Sequence, residues 1–231
     1  MSDTKASSIE AQRAAMAFGL ACALFLFTGC KAVSPSNVAV GPGYSASNIH
    51  KEHRKLAADI RRVAVLPSTC DTTDANLGAG RETIETLLRE ELGKTKKFEV
   101  VTVSPEQLRQ WTGRKSWAAE DVLPTTLLKT LREKLDCDVV LFSRVTQFRA
   151  YPPLAVGLSL KLIVASDAEQ LWALDEVFDA GDPSVAVSAR RFQQARDPMP
   201  AALADSRGIL VSPSGFGRYA ASAAFETLPS R

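Results

Sequence analysis

A continuous apolar run is the feature that most constrains the fold of this 231-residue chain. The run, RVAVLP at 62–67, lacks the alternation of polar and apolar residues that is typical of a strand with one solvent-exposed face. Strands of this kind are covered on both faces and belong to parallel sheets flanked by helices. The run therefore predicts a central parallel strand in an α/β domain.

Helical and strand patterns alternate after this run. Two stripes of leucine at helical spacing predict two amphipathic helices, and a capping box from Ser104 to Gln107 predicts a third between them. Because helices connect the strands, the order is βαβαβ with parallel strands. We expect Leu88 and Leu131 to be buried against opposite portions of the sheet. The predicted strands cover 98–103 and 138–142.

The pattern changes in the second half of the chain. Residues 154–162 alternate leucine or valine with smaller or polar residues, and a turn at 166–169 joins them to a second run at 171–178. This arrangement predicts an antiparallel hairpin with one more exposed face. Pro183 and Pro213 each introduce a further helix. The predicted fold class is α/β, a three-layer or two-layer mixed sheet with helices, in a single domain at 49–231.

The amino-terminal segment is treated separately from this domain. Ala14 to Gly29 carries no charge, and its sixteen residues form a helix of only about 24 Å, against a hydrocarbon core of about 30 Å. The length is typical of a secretory signal, and Thr28 and Gly29 are small residues of the kind that precede a cleavage site. We therefore predict a signal peptide at 1–29.

The residues after the signal peptide are predicted to form a flexible tether followed by a short helix. Residues 33–48 are rich in Ser, Pro, Gly and Asn without apolar periodicity, so 30–48 is expected to be a flexible tether that begins at Cys30. Residues 49–60 are expected to form a short helix with a basic face, formed by Lys51, Arg54 and Lys55.

The sequence LFTGC at 26–30 resembles the lipobox of bacterial lipoproteins, although Phe27 stands where an aliphatic residue is usual. The resemblance implies an acylated, palmitate-bearing Cys30 that binds the lipid bilayer. Lys31 is not the aspartate that retains such proteins at the inner membrane, so the resemblance implies the outer membrane, facing the periplasm. The alternatives are an ordinary cleaved signal, or an uncleaved anchor with Cys30 inert.

The order of strands resembles that of a group of bacterial envelope proteins. The group contains the curli-secretion lipoproteins, the lipoprotein activators of penicillin-binding proteins and the amino-terminal domain of the Tol translocation protein. The resemblance implies a non-enzymatic domain that docks an envelope protein or associates with copies of itself. The curli-secretion members add membrane-crossing hairpins, and this chain departs from them because its second hairpin arm carries Asp175 and Glu176. The segments that carry the resemblance are 62–67, 98–101, 137–142 and 171–172.

Charge and cysteine content narrow the function further. Residues 1–29 contain two basic and two acidic residues, so the remainder keeps the net charge of +2 of the whole chain. This balance gives no reason to expect nucleic-acid binding, which needs a strongly basic face.

Cys70 and Cys137 are predicted to be unpaired, because parallel strands place them at opposite edges of the sheet.

No motif in the sequence indicates a catalytic or metal site. The spacing of His50 and His53 could place both on one helical face, but no carboxylate or thiol completes a metal site, and they are expected to be solvated. The glycines at 78–80 lack the lysine of a phosphate loop and are expected to lie in a surface loop. No cofactor is predicted, and a periplasmic hydrolase with an unrecognised site is the alternative to a docking protein.

One polar segment is a candidate interaction surface. Trp111 and Trp117 flank a turn that carries Arg114 and Lys115. Exposed aromatic rings with cationic neighbours are typical of a binding anchor. The alternative is that both rings cover the edge of the core.

Overall fold

The structure is a computed structural model that describes residues 40–71, 73–196 and 208–231. Within these residues it contains seven strands and five helices, with a 3-10 turn at Gly208–Leu210. The strands are β1 (Ile49–Lys51), β2 (Arg62–Val65), β3 (Thr69–Cys70), β4 (Glu99–Thr102), β5 (Val139–Arg149), β6 (Ala155–Val164) and β7 (Gln170–Asp179). The helices are α1 (Ala75–Lys94), α2 (Pro105–Thr112), α3 (Thr125–Leu135), α4 (Pro183–Arg196) and α5 (Pro213–Glu226).

All seven strands form one mixed sheet, which confirms the predicted sheet type, although β1 and β3 are not among the predicted strands. The order is β1-β7-β6-β5-β2-β4, with β3 added to β5 beyond the end of β2. Strand β2 runs parallel to both β4 and β5, whereas β5, β6 and β7 form an antiparallel meander. The predicted βαβαβ order and hairpin are confirmed. Strand β5 extends beyond the predicted end at Phe142, and it forms a second hairpin with β6.

The sheet carries a hydrophobic core on each face. The inner face packs against α1, α4 and α5, and this core contains Leu88. The outer face packs against α2 and α3, and this core contains Leu131. The prediction for these two leucines is confirmed. The outer core reaches Ile163 at the end of β6 but contains no described residue of β7, so the fold has three layers around β2 and two layers at β7.

Residues 40–48 pack against the domain, so the predicted tether is wrong over this stretch. The ring of Tyr44 meets Phe178 edge to face with centroids 5.7 Å apart. The backbone N–H groups of Ser47 and Asn48 donate to the Glu176 carboxylate at 2.8 and 3.2 Å. A polar composition predicts a linker, but these contacts depend on a distant strand. The rest of the predicted tether, 30–39, lies outside the described residues.

The predicted helix at 49–60 is also wrong. Ile49–Lys51 instead forms strand β1, which pairs antiparallel with β7 from Leu174 to Trp172. Ile49 packs against the inner core, while His50 and Lys51 are exposed. The free edge of β7 therefore decides the conformation of a segment whose own composition favours neither state.

Helix α1 begins earlier than its leucine stripe predicts. Asp74 caps the helix by accepting hydrogen bonds from the N–H groups of Asn76 and Leu77. The prediction of a surface loop at 78–80 is therefore wrong, because these residues lie inside α1. The helix also continues through Gly93 and ends at Lys94. None of the helices in the described part of the chain is both long and apolar enough to span a bilayer.

Two glycines of α1 give a matched test of the packing. A Cβ atom at Gly80 would lie 2.3 Å from Cγ of Phe148, whereas a Cβ at Gly78 would meet nothing within 4 Å. We expect Gly80→Ala to lower the free energy of unfolding by about 1–3 kcal/mol through overpacking. Gly78→Ala should raise it by about 0.5–1 kcal/mol, because alanine favours the helix. Urea unfolding of both variants checks this, and equal effects at the two positions would contradict the packing of α1 against β5.

Candidate functional site

A cleft of about 590 Å³ opens at the carboxyl ends of the parallel strands. The chain passes from β2 to β4 on one side and then returns to β5 on the other side of β2. Ligands of open α/β sheets bind at such a reversal of strand order. The cleft is lined by Pro67, Ser68, Thr69, Cys70, Arg81, Pro105, Glu106, Arg114, Lys115, Ser116, Ala118, Asp121 and Arg144.

The cleft exists because strands β2 and β4 diverge at their carboxyl ends. The N–H of Val103 donates to the carbonyl of Val65 at 3.1 Å, and the chain then turns into α2. This turn is fixed by the predicted capping box, in which Ser104 and Gln107 exchange hydrogen bonds of 3.0 and 3.1 Å. The line of β2 continues beyond this point as β3, which pairs only with β5 among the described strands. The other edge of β3 faces the space that β4 has left.

The loop at 113–124 forms one wall of the cleft. Gly113 ends α2 with a left-handed φ of 81°, which glycine adopts without strain. The indole N–H of Trp117 donates to the Thr112 hydroxyl at 3.0 Å, and the Arg114 guanidinium lies 4.1 Å from the centre of the Trp117 ring. Arg114 also donates to the Asp121 carboxylate at 3.0 Å. These contacts hold the wall in one position.

The four predicted surface residues therefore divide between the core and the cleft. Trp117 is only 5% exposed, and Trp111 is partly buried against the outer core. The rings cover the edge of the core, and the hypothesis of an exposed aromatic anchor is wrong for Trp117. Arg114 and Lys115 line the cleft, as cationic residues of the candidate surface.

The cationic groups of the cleft differ in how far they are neutralised. Arg81 donates to Glu85 at 3.0 Å and to Glu82 at 3.1 Å. The guanidinium of Arg144 and the ammonium of Lys115 form no hydrogen bond or ion pair with any residue that the structure describes. The charge of Arg144 acts on Asp71, whose pKa is lowered chiefly by hydrogen bonds from the Thr73 N–H and hydroxyl.

Cys70 and Cys137 are free thiols, as predicted. Cys70 lies in β3 and lines the cleft, where it is partly exposed. Cys137 precedes β5 and is buried, and burial raises the pKa of its thiol to about 11. The parallel pairing of β2 with β5 keeps the two at opposite ends of the strands.

Thiol alkylation should separate these cysteines. We expect iodoacetamide at about pH 8 to modify Cys70 in the folded protein and to leave Cys137 unmodified, because the thiolate is the reactive form and a pKa of about 11 keeps Cys137 protonated. Peptide mapping after a timed reaction measures both sites. Modification of Cys137 at the rate of Cys70, under conditions in which the protein stays folded, would show that Cys137 is not buried.

The histidines lie away from the cleft. Both side chains are exposed, and each faces a glutamate, with His50 Nε2 3.5 Å from Glu52 and His53 Nε2 3.7 Å from Glu169. Neither lines the cleft, so Cys70 has no histidine among the lining residues to act as a base. Over the described ranges, no three His, Cys, Asp or Glu side chains gather as metal ligands would.

Two residues at the site, Arg144 and Arg81, are not among the residues that the sequence analysis predicts for it. Arg144 lies two residues beyond the predicted strand at 138–142. A single cationic residue directly after an apolar run is the sequence signal that could have identified it as a site residue. Arg81 lies in α1 just after the stretch 78–80 that the sequence predicts as a loop, and no sequence signal connects it with the site. Cys30 lies outside the described residues.

Comparisons with known proteins give structural neighbours only. No family model matches the chain, and no curated protein matches it. The PelC dodecamer from Paraburkholderia phytofirmans aligns over 81% of this chain and 95% of its own, with 14% identity and a TM-score of 0.39. Lipoprotein GNA1162 from Neisseria meningitidis aligns over 59% and 99%, with 18% identity and a TM-score of 0.42. The LpoB C-terminal domain from Escherichia coli aligns over 51% and 82%, with 20% identity and a TM-score of 0.35.

Proposed function

We propose that the protein is a lipid-anchored component of the bacterial envelope that binds a partner protein without catalysing a reaction. The anchor is an acylated Cys30, supported by the uncharged segment before it and by the small pair Thr28 and Gly29. Lys31 favours attachment to the outer membrane with the domain in the periplasm.

The packing of residues 40–48 limits how far the domain reaches from this anchor. Ten residue steps separate Cys30 from Val40. A fully extended chain spans at most about 3.3–3.6 Å per residue, so the chain between Cys30 and Val40 spans at most about 36 Å. The proposed partner is therefore a membrane protein or a protein that works close to the membrane.

The observation that carries the docking function is the unpaired edge of β3 in the cleft. A strand edge exposes main-chain N–H and C=O groups that form hydrogen bonds with another chain. Here the edge is recessed between α2 and the loop at 113–124, which protects it from indiscriminate pairing while leaving it open to a fitted segment. Among the described residues that line this cleft, the thiol of Cys70 has no histidine beside it, which favours binding over the hydrolase alternative.

Site-specific photo-crosslinking in intact cells tests this function. A benzophenone amino acid in place of Lys115 lies at the cleft, and the same group in place of Lys129, on the exposed side of α3, is the matched control. We expect a discrete adduct with another envelope protein from position 115 and none from position 129. An adduct of twice the mass of the chain would identify the partner as a second copy. Absence of any adduct at position 115, in cells that contain the anchored protein, would contradict docking at the cleft.

A further inference from the structure

We infer that the cleft binds an extended acidic segment of the partner, which adds to the free edge of β3 and places a carboxylate on Arg144. This inference rests on the proposed function, because it takes the cleft to be the docking site. It specifies the conformation and the charge of what is docked.

The main chain of β3 supplies the first part of the argument. Thr69 and Cys70 pair with Arg144 and Val145 of β5, and successive residues of a strand present their N–H and C=O groups to opposite edges. One of the two residues therefore directs its main-chain groups away from β5, toward the cleft that both residues line. An extended peptide satisfies such groups by strand addition.

The charges of the cleft supply the second part. Arg144 is partly buried, and its guanidinium has neither a hydrogen bond nor an ion pair among the described residues, although its charge acts at longer range on the Asp71 carboxylate. The guanidinium therefore has no direct acceptor among the described residues, and a ligand carboxylate satisfies its fork with two parallel hydrogen bonds. Lys115 adds a second unpaired cation at the rim. Asp121 is already bound by Arg114, so it does not neutralise them.

Of the two described carboxylates that line the cleft, Asp121 is paired with Arg114, whereas Glu106 has no cation bound to it and opposes an acidic ligand. Glu106 lies in the first turn of α2, on the side of the cleft away from β5. The carboxylates of the ligand are therefore directed toward Arg144, and removal of the Glu106 charge strengthens their binding.

A peptide fits these observations better than an anionic lipid headgroup. A phosphate satisfies Arg144 but leaves the edge of β3 unpaired, whereas a peptide supplies both a carboxylate and main-chain amides. The lining also includes Pro67, Pro105 and Ala118, which offer apolar contact between these polar groups.

A short strand-forming peptide tests the inference on the purified full chain. The probe is fluorescein-labelled Val-Glu-Val-Glu-Val, in which the two carboxylates lie on one face of a strand, and binding is followed by fluorescence anisotropy. The comparison ligands are the same peptide with Gln for Glu, the same peptide with alternate amides N-methylated, and vesicles of equal parts phosphatidylcholine and phosphatidylglycerol. Binding of the N-methylated peptide is measured with the unsubstituted protein, so this comparison does not depend on whether a variant folds.

The expected results separate charge from main-chain pairing. Arg144→Gln should weaken binding of the acidic peptide about tenfold, and Lys115→Gln about threefold. Glu106→Gln should tighten it about twofold, and Lys129→Gln, the matched loss of one charge on α3, should leave it unchanged. The Gln peptide and the N-methylated peptide should both bind at least about tenfold more weakly, because each loses one of the two interactions.

Two outcomes would overturn the inference. If the N-methylated peptide bound as tightly as the unmethylated acidic peptide, strand addition would be excluded. If Arg144→Gln bound the acidic peptide with unchanged affinity, the carboxylate contact would be excluded. Vesicles that bind more tightly than the peptide, in a manner abolished by Arg144→Gln, would identify a lipid headgroup instead. A partner adduct at position 115 combined with no peptide binding would retain the docking function and reject only this mode of recognition.

Discussion

Replacement of Cys30 by serine is expected to remove the protein from the membrane fraction, or to leave it as the unprocessed precursor. Acylation requires the cysteine thiol, and burial of an acyl chain contributes about 0.8 kcal/mol per methylene to membrane binding. Serine at this position supplies no acceptor for that chain. Fractionation of cells, followed by mass spectrometry of the amino-terminal peptide, measures both the partition and the processing.

The matched control for this change is Cys70→Ser. Cys70 is the partly exposed thiol of the cleft, and its loss should leave maturation and membrane partition as they are. Normal maturation and unchanged membrane partition of Cys30→Ser would refute acylation at this residue. Release of both variants would instead indicate that partition depends on general damage to the protein.

Truncation of Leu88 or Leu131 to alanine should each lower the free energy of unfolding by about 2–5 kcal/mol. The two side chains are almost completely buried, at 2% and 0% exposure, in the inner and outer cores. Removal of a buried isobutyl group loses its transfer free energy and leaves a cavity that close-packed neighbours fill only in part. Urea unfolding followed by circular dichroism gives both values.

Val122→Ala is the control for these truncations. Val122 is 95% exposed, so its loss should change the free energy of unfolding by less than about 0.5 kcal/mol. A loss below about 0.5 kcal/mol for both leucines would show that the two helices do not pack on the faces of the sheet described here.

The alternating order of buried strands and amphipathic helices was enough to predict most of the fold. The runs at 62–67 and 138–142 are apolar on both faces because helices cover both faces at that end of the sheet, and this periodicity is local to each element. The capping box at Ser104 and the starts of α4 and α5 at proline were likewise predictable, because their signals lie within a few residues.

The errors have a common physical origin in distant contacts. Residues 40–48 and β1 take their conformation from β7 and Glu176, more than a hundred residues away in the sequence. The first turns of α1 carry no apolar stripe, and Gly80 is there because Phe148 of β5 leaves no room for a side chain. These contacts cannot be predicted from the composition of the local segment alone.

The cleft was predictable only in fragments. The turn with Arg114 and Lys115 was identified as a candidate surface, but its flanking tryptophans belong to the core. Arg144, Cys70 and the unpaired edge of β3 come together only when β5 continues past β2 and pairs with β3. That juxtaposition is a property of strand length and register, which single-sequence patterns define least well.

The rate at which Cys70 is alkylated in intact cells, relative to its rate in the purified full chain, tests docking at the cleft most directly. Cys70 lines the cleft and reports its occupation without any knowledge of the partner. A cysteine introduced by Lys129→Cys on the exposed side of α3 corrects for access of the reagent to the periplasm. If a partner occupies the cleft, Cys70 should react at least about tenfold more slowly in cells than in the purified protein, while the control reacts alike in both. Equal relative rates at the two positions would show that the cleft is empty in the cell and would contradict the proposed docking site.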